Sequence, residues 1–252
     1  MAKPLDNLRK KILTVAYKTK EGHIGSSLSI LDILWILYND YYNPSKSEDN
    51  VIILSKGHAS LGLYAILHEK GFISNDDLYS FCEYDSILGG HPDKNKIKDV
   101  YASTGSLGHG FPIAVGVALA KKIKKEAGTV FAIVGDGESN EGTIWESALL
   151  AREHNLNNLV CIVDYNHSND RSIKLESIVE KFNSFGWASS EVDGHNHELI
   201  RATLKDKSES RPRAIIANTI KGNGITRMEN QHEWHHKSPN ENQYDEIMKE
   251  LS

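Results

Sequence analysis

Hydrophobic and polar positions divide the chain into two alternating kinds of segment. Apolar residues at helical spacing predict a helix from the start of the chain to Glu21-Gly22, and a second, buried helix over residues 29–38. Short continuous apolar runs predict strands at 51–54, 130–134, 159–163, 187–192 and 213–220. Further helices are predicted at 61–69, 111–126, 141–154, 174–185 and 195–206. This alternation is typical of a doubly wound α/β fold, a mostly parallel sheet with helices on both faces.

Three stretches lack either pattern. Residues 85–110 are Gly-rich, and a loop of this length inside a compact domain is usually functional or disordered. The residues between Pro44 and Asn50 are polar and predicted to be a loop. The tail after Lys221 is polar and shows no domain boundary. We therefore predict a single domain over residues 1–252 with a loop-rich C-terminal extension from about 221.

The composition argues against several classes of protein. The 252 residues carry a formal net charge of −5, which argues against sequence-independent binding to nucleic acid. The most apolar run, residues 28–38, is far short of the roughly 20 residues that a membrane span needs, and the N-terminus lacks the apolar core of a signal peptide. Two cysteines, Cys82 and Cys161, fit a reducing compartment. We expect a cytoplasmic protein without membrane or nucleic acid partners.

Polar ligand types follow two neighbouring predicted strands. Gly135-Asp136-Gly137 ends one strand and Asn166 ends the next, with 28 residues between Gly137 and Asn166. Ligands of open α/β sheets bind beyond the carboxyl ends of the strands, and one βαβ unit can bring both ends to one crevice. Asp136 and Asn166 offer oxygen atoms to a hard cation such as Mg²⁺, which completes its shell with water and phosphate oxygens. Gly137 lets a diphosphate approach the backbone, and the helix start near Glu141 offers N–H donors.

Six segments in order along the chain together resemble a known family. Residues 135–166 look like the thiamine-diphosphate motif, which runs from Gly-Asp-Gly to an Asn. The other five segments are Gly22-His23-Ile24-Gly25, Ser55-Lys56-Gly57-His58-Ala59, Gly89-Gly90-His91-Pro92, Gly105-Ser106-Leu107-Gly108-His109-Gly110 and His235-His236-Lys237-Ser238-Pro239. Over roughly residues 8–240, the chain resembles the N-terminal, diphosphate-binding domain of transketolases.

The resemblance implies a set of residues that bind the cofactor, thiamine diphosphate, and its metal ion. Three residues would bind Mg²⁺ (or Ca²⁺ or Mn²⁺): Asp136, Asn166 and, through its carbonyl, Ser168. The backbone of three more would approach the cofactor: Gly137 at the diphosphate, and Gly105 and Leu107 at the aminopyrimidine ring.

The resemblance also implies residues around the reacting centre: His23, His58, His91, His236 and Glu141. His58 and His236 would face the diphosphate or the reacting centre. His23 and His91 would line the substrate channel, where an imidazole hydrogen-bonds sugar hydroxyls or relays protons. Glu141 matches a glutamate at the family's subunit boundary, which links two cofactor sites. The neighbouring His235 makes the alignment ambiguous by one residue, and the following Lys-Ser-Pro favours His236.

The activity implied by the resemblance is transfer of a two-carbon ketol unit from a ketose to an aldose, with sugars or sugar phosphates as substrates. In the family, a glutamate of a following pyrimidine-binding domain protonates the cofactor, and this sequence offers no second doubly wound unit. We therefore expect the N-terminal subunit of a split transketolase. Its partner would carry the pyrimidine-binding and C-terminal domains in an α2β2 heterotetramer, and some of the apolar surface should belong to interfaces.

Two alternatives stay open. The chain could be the α chain of a two-chain, thiamine-diphosphate-dependent 2-oxo acid decarboxylase or dehydrogenase, or a non-catalytic orphan domain. The histidine set, especially Gly90-His91-Pro92 and Ser55-Lys56-Gly57-His58-Ala59, favours the transketolase hypothesis over the 2-oxo acid enzyme. The intact Asp136, Asn166 and histidine positions argue against an orphan domain.

Overall fold

The computed structural model describes residues 4–44, 50–170, 173–206 and 210–252. Most of the loop predicted between Pro44 and Asn50 therefore lies outside the described residues. The strands are β1 (Val51–Leu54), β2 (Val130–Gly135), β3 (Leu159–Tyr165), β4 (Ala188–Asp193) and β5 (Arg213–Asn218). The α-helices are α1 (Pro4–Thr19), α2 (Ile24–Ser29), α3 (Leu31–Ile36), α4 (Ser60–Glu69), α5 (Asn75–Tyr79), α6 (Gly110–Lys124), α7 (Gly142–Glu153), α8 (Ile178–Ser184), α9 (His197–Lys205) and α10 (Glu241–Glu250).

The chain forms two compact units. The first consists of residues up to 35, residues 57–103 and residues from 220 onwards, and the second of residues 36–56 and 104–219. The expected single domain over the whole chain stays a prediction. Among the described residues, no helix is long and apolar enough to cross a membrane.

The second unit contains a five-stranded parallel sheet in the order β1-β2-β3-β5-β4. β1 and β2 are buried at every position, as their continuous apolar sequences require in a sheet that is covered on both faces. β4 lies at the edge and is largely exposed, in keeping with its Ser- and Glu-containing sequence. All five strands lie where the hydrophobic pattern predicts them.

The helices of the second unit cover both faces of the sheet. The connections from β1 to β2, β2 to β3 and β3 to β4 run in one direction across the sheet, and the connection from β4 to β5 runs back. Because such crossovers are right-handed, α9 lies on the opposite face from α6, α7 and α8. Side-chain caps begin two of these helices, since Ser177 accepts from the Glu180 N–H and Asn196 accepts from the Leu199 N–H. The predicted doubly wound α/β fold is confirmed.

The first unit is helical. α1 packs on α4 and α10, and α2 packs on α4. α10 begins at a capping box, in which Asn240 and Gln243 satisfy each other's backbone N–H groups. This helix lies in the segment that was expected to be rich in loops. Residues 80–109 contain neither helix nor strand, in keeping with the predicted long Gly-rich loop.

The predicted helix over residues 29–38 differs most from the structure. Helix α2 begins at Ile24, α3 ends at Ile36, and Leu37–Tyr41 forms a π-helix. The prediction used Ser29 as a cap, but the Ser29 hydroxyl donates to the Ser26 carbonyl inside α2. Every residue of α2 is buried, so tertiary packing outweighs the local preference of its three serines for caps.

Candidate active site

The carboxyl ends of β2 and β3 bring two predicted metal ligands to one edge of the sheet. Gly135, which ends β2, pairs with Asp164 in β3, and the Asp136 N–H donates to the Asp164 carbonyl at 3.1 Å. Asp136 and Asn166 therefore follow the same paired position on adjacent strands. This is the arrangement of strand ends that the sequence predicts, and the role of both residues as ligands stays a prediction.

The Asp136 carboxylate is buried and held by backbone donors. Its Oδ1 accepts from the Gly137 N–H at 2.7 Å, and its Oδ2 accepts from the Asn169 N–H at 3.3 Å. Burial is the main reason that the pKa of Asp136 is raised, while the charge of Lys56 lowers it and that of Asp164 raises it. A nearby cation would stabilise the charged form of such a carboxylate. The site therefore suits a cation electrostatically.

The Asn166 side chain offers an amide oxygen at the end of β3, next to the end of β2 that Asp136 follows. Its Oδ1 accepts from the Ser168 N–H at 3.1 Å and from the Ser168 hydroxyl at 2.5 Å. Among the described residues, no group of three His, Cys, Asp or Glu side chains is arranged to hold a metal. A cation here would rest on one carboxylate and on neutral oxygens, with phosphate and water completing its shell. That donor set fits Mg²⁺ bound together with a diphosphate.

The backbone at Gly137 is open to a ligand. A Cβ built on Gly137 would meet a single neighbouring atom within 4 Å, Asn169 Oδ1 at 3.8 Å. Any larger residue would place its side chain in this space, where the resemblance predicts the diphosphate. The Gly137 N–H expected to bind the diphosphate donates here to Asp136.

A buried glutamate that the sequence analysis did not single out, Glu138, joins three segments. It is 1% exposed, and its Oε1 accepts from the Ser55 hydroxyl at 2.5 Å and the Gly108 N–H at 2.9 Å. Its Oε2 accepts from the Gly135 N–H at 3.1 Å. Burial raises the pKa of Glu138, and these hydrogen bonds oppose the shift. Because Ser55 follows β1 and Gly135 ends β2, Glu138 fixes the turn over residues 105–110 against the strand ends.

The same turn is fastened to the start of α7. The Thr143 hydroxyl donates to the Gly108 carbonyl at 2.8 Å. Gly108 has a φ of +80°, and a Cβ there would lie 2.5 Å from Thr143 Oγ1 and 2.6 Å from Glu141 Cβ. Only glycine fits this position. The turn carries Gly105 and Leu107, which are predicted to approach the aminopyrimidine ring, and Glu141 is the exposed residue that precedes α7.

The first unit brings four histidines together. The centroid of the His23 ring lies 5.1 Å from that of His58, 5.5 Å from that of His235 and 4.6 Å from that of His236. Burial, together with the charges of neighbours that include His91, lowers the pKa of His23 to about 4. His23 is therefore a neutral imidazole near pH 7, and one of its ring nitrogens can accept a hydrogen bond. The sequence analysis selected four of these five histidines.

The adjacent His235 and His236 have different surroundings. His235 Nδ1 lies 2.5 Å from Nζ of Lys221, a lysine that is 4% exposed. The His236 side chain is 60% exposed, and its Nε2 lies 3.8 Å from Glu21 Oε2. The sequence analysis preferred His236, but the structure places both rings beside His23.

A buried ion pair near the strand ends was also missed. Lys56 Nζ lies 2.5 Å from Asp164 Oδ2, and the two side chains are 2% and 0% exposed. The Thr219 hydroxyl donates to Asp164 Oδ1. Lys56 follows β1 and Asp164 lies near the end of β3, so each residue lies at a strand end, where site residues are expected. Because the two residues are 108 positions apart, no local sequence pattern predicts that they pair.

Strand-end oxygens, an open glycine backbone and a fixed Gly-rich turn define an α/β protein of the diphosphate-binding class. A family model described as "Transketolase, thiamine diphosphate binding domain" matches residues 3–251. The chain belongs to this family, which confirms the resemblance found in the sequence and gives thiamine diphosphate as the cofactor of the domain.

Two curated relatives are similar along most of their length. An apulose-4-phosphate transketolase subunit from Phocaeicola vulgatus is 36% identical over 256 residues, which cover 97% of this chain and 91% of that protein. The 6-deoxy-6-sulfo-D-fructose transketolase subunit SqwG from Clostridium sp. strain MSTE9 is 36% identical over 231 residues, which cover 87% of this chain and 84% of that protein. The prediction of an N-terminal transketolase subunit is confirmed by these relatives.

A solved structure shows the same fold in a longer chain. Transketolase from Campylobacter jejuni matches with a TM-score of 0.88 and 30% identity, covering 98% of this chain and 41% of that chain. Human transketolase is 34% identical over 259 residues, which cover 98% of this chain and 41% of that protein. The chain thus spans about two fifths of the length of these transketolases.

Proposed function

We propose that this chain, together with a second subunit, transfers a two-carbon ketol unit from a ketose to an aldose with thiamine diphosphate as cofactor. The observation that carries the proposal is the position of Asp136 and Asn166 directly after the ends of two adjacent strands, beside the open backbone of Gly137. Membership of the transketolase family supports the type of reaction. When bound, thiamine diphosphate supplies the carbanion that makes and breaks the carbon–carbon bond.

In this proposal the second unit holds the diphosphate and the metal ion. Asp136, Asn166 and the Ser168 carbonyl bind Mg²⁺, for which Ca²⁺ or Mn²⁺ can substitute, and Gly137 presents its N–H to the diphosphate. Gly105 and Leu107 contact the aminopyrimidine ring from the turn that Glu138 fixes. The burial of the Asp136 carboxylate supports the metal, since a divalent cation would stabilise its charged form there.

The histidines of the first unit handle protons and sugar hydroxyls. His23 is neutral near pH 7, so one of its ring nitrogens accepts a hydrogen bond from a sugar hydroxyl. His91 lines the substrate channel with it, and His58 and His236 face the diphosphate or the reacting centre. Glu141 lies at a subunit boundary and links two cofactor sites.

The partner is a chain with the pyrimidine-binding and C-terminal domains. The names of the relatives, which are subunits, support a separate partner. Exposed apolar side chains on α6 and α7 offer surface for an interface: Ile113, Leu149 and Leu150. We propose an α2β2 heterotetramer in the cytoplasm that acts on sugars or sugar phosphates.

Calorimetry tests the cofactor and metal assignment. Thiamine diphosphate is titrated into the reconstituted two-subunit complex with Mg²⁺ and, separately, with EDTA. Asp136→Asn lowers the Mg²⁺-dependent affinity by more than about 100-fold, since it removes the charged oxygen of the metal site. The matched control is Asp193→Asn, at the exposed end of β4, which leaves the affinity unchanged. Wild-type affinity in Asp136→Asn would contradict the assignment.

Activity of the same complex tests the reaction. Ketol transfer between several ketoses and aldoses is expected, without release of CO₂ from a 2-oxo acid. CO₂ release without ketol transfer would favour the 2-oxo acid enzyme. The absence of both reactions would favour a non-catalytic domain.

A further inference from the structure

A buried carboxylate, Asp164, lies directly behind the predicted metal ligand Asn166. We propose that Asp164 is a positioning residue that fixes the Asn166 side-chain amide with its oxygen turned toward the metal site. The inference rests on the proposed function, because it concerns the metal ion that binds with thiamine diphosphate. It adds a role for a residue that the sequence did not mark as part of the site.

Three donors point at the Asp164 carboxylate. Its side chain is fully buried and pairs with Lys56. Its Oδ1 accepts from the Thr219 hydroxyl, and its Oδ2 accepts from Lys56 Nζ and from Asn166 Nδ2 at 3.0 Å. Both carboxylate oxygens accept in these contacts, and the neighbouring amide turns its NH₂ group toward them.

Donors at the other end of the amide require the same orientation. The Ser168 N–H and hydroxyl both point at Asn166 Oδ1. If the amide turned over, its oxygen would face the Asp164 carboxylate and its NH₂ group would face two donors. The hydrogen bonds to Asp164 and to the Ser168 N–H would then be lost inside a site where Asn166 is 5% exposed, whereas the Ser168 hydroxyl could reverse its role. The oxygen is therefore held on the side away from Asp164, where it would be available to the proposed cation.

Lys56 makes this arrangement compatible with a second carboxylate. Asp136 is close enough to Asp164 for the two charges to repel, and Lys56 acts on Asp136 in the opposite direction. Groups that orient a metal ligand from behind commonly change metal affinity by about 10–100-fold when they are removed. Asp164 meets this description without touching the metal itself.

The test measures Mg²⁺ affinity in the two-subunit complex that contains thiamine diphosphate. Asp164→Asn removes one of the two constraints on the Asn166 amide orientation and lowers Mg²⁺ affinity by about 10–100-fold. The exchange variant, Asp164→Asn with Asn166→Asp, restores a fixed pair, since the new amide at position 164 donates to the new carboxylate at position 166. It binds Mg²⁺ about tenfold more tightly than the single variant. Thr219→Val, which removes a donor from the far oxygen of Asp164, stays closest to wild type.

The outcomes separate this inference from the proposed function. Wild-type Mg²⁺ affinity in Asp164→Asn, or an exchange variant that binds no better than the single variant, overturns the positioning role. A wild-type complex without metal-dependent cofactor binding overturns the proposed function instead. If Asp164→Asn does not fold, side-chain NMR of wild-type Asn166 decides: slow hydrogen exchange of its NH₂ group with Mg²⁺ bound is expected, and exchange as fast as that of an exposed Asn overturns the inference.

Discussion

Replacing Glu138 by Gln removes a hydrogen bond where β1, β2 and the turn over residues 105–110 meet. The carboxylate accepts from three donors, and two of these are backbone N–H groups that cannot reverse their role. Gln has nearly the same shape, but only its oxygen accepts. In its better orientation the oxygen keeps the Ser55 hydroxyl and the Gly108 N–H, and the NH₂ group faces the Gly135 N–H. The Gly135 N–H and the new NH₂ group are then buried donors that face each other.

The size of the effect follows from these unsatisfied donors. A buried donor without a partner costs about 1–3 kcal/mol. The substitution also removes a buried charge, and burial raises the pKa of Glu138, so part of the loss is offset. We expect the free energy of unfolding to fall by about 1–2 kcal/mol. Urea denaturation followed by circular dichroism measures this, with an unchanged slope because the surface exposed on unfolding stays the same.

A matched substitution on the surface provides the control. Glu153→Gln makes the same chemical change at the exposed end of α7, where we expect a difference within about 0.5 kcal/mol of wild type. If Glu138→Gln is as stable as this control, the carboxylate does not hold the strand ends and the turn together, and the reasoning from its three donors is refuted.

Two further predictions concern a glycine and a histidine. Gly110→Ala is expected to destabilise the protein by about 1–3 kcal/mol, since its Cβ would lie 2.6 Å from Ser55 Cα. The control, Gly116→Ala, lies in open space on the same helix and is expected to stabilise the protein by up to about 1 kcal/mol. Urea denaturation compares the two variants. His23 stays about 99% neutral at pH 6, where an imidazole of pKa 6.5 is about three-quarters protonated, which NMR titration checks. Because the pKa of His23 is lower in the folded state than in the unfolded state, the stability from His23 is lost as pH falls from 6.5 to about 4. A titration midpoint near 6.5 would contradict the claim that burial in the histidine cluster lowers this pKa.

The strands could be predicted from the sequence because burial on both faces leaves continuous apolar runs. β1 and β2 are such runs, and even β4 at the edge was found between its turns. The helix over residues 29–38 was misplaced because serines usually mark helix starts, whereas those of α2 lie buried inside a helix. Local rules fail there because tertiary packing decides.

The site also contains residues that the sequence predicts and contacts that only the structure shows. Asp136 and Asn166 are visible in the sequence because each directly follows an apolar strand, and parallel strands end at one edge. The pairs Lys56–Asp164 and Ser55–Glu138 join positions that are 108 and 83 residues apart. No spacing within either segment indicates the partner in the other, so these contacts became visible only in the folded chain.

The positions of the buried charged side chains support the candidate site independently of any sequence motif. Among the described residues of the second unit, five charged side chains are buried, and four of them lie at the ends of β1, β2 and β3: Lys56, Asp136, Glu138 and Asp164. The fifth, Lys121, is in α6. Apolar replacement of buried ion pairs is often neutral or stabilising, so folding alone does not explain four charges at one edge. Their joint effect is to fix oxygens and N–H groups in set directions, as a preorganised site for a metal and a diphosphate requires.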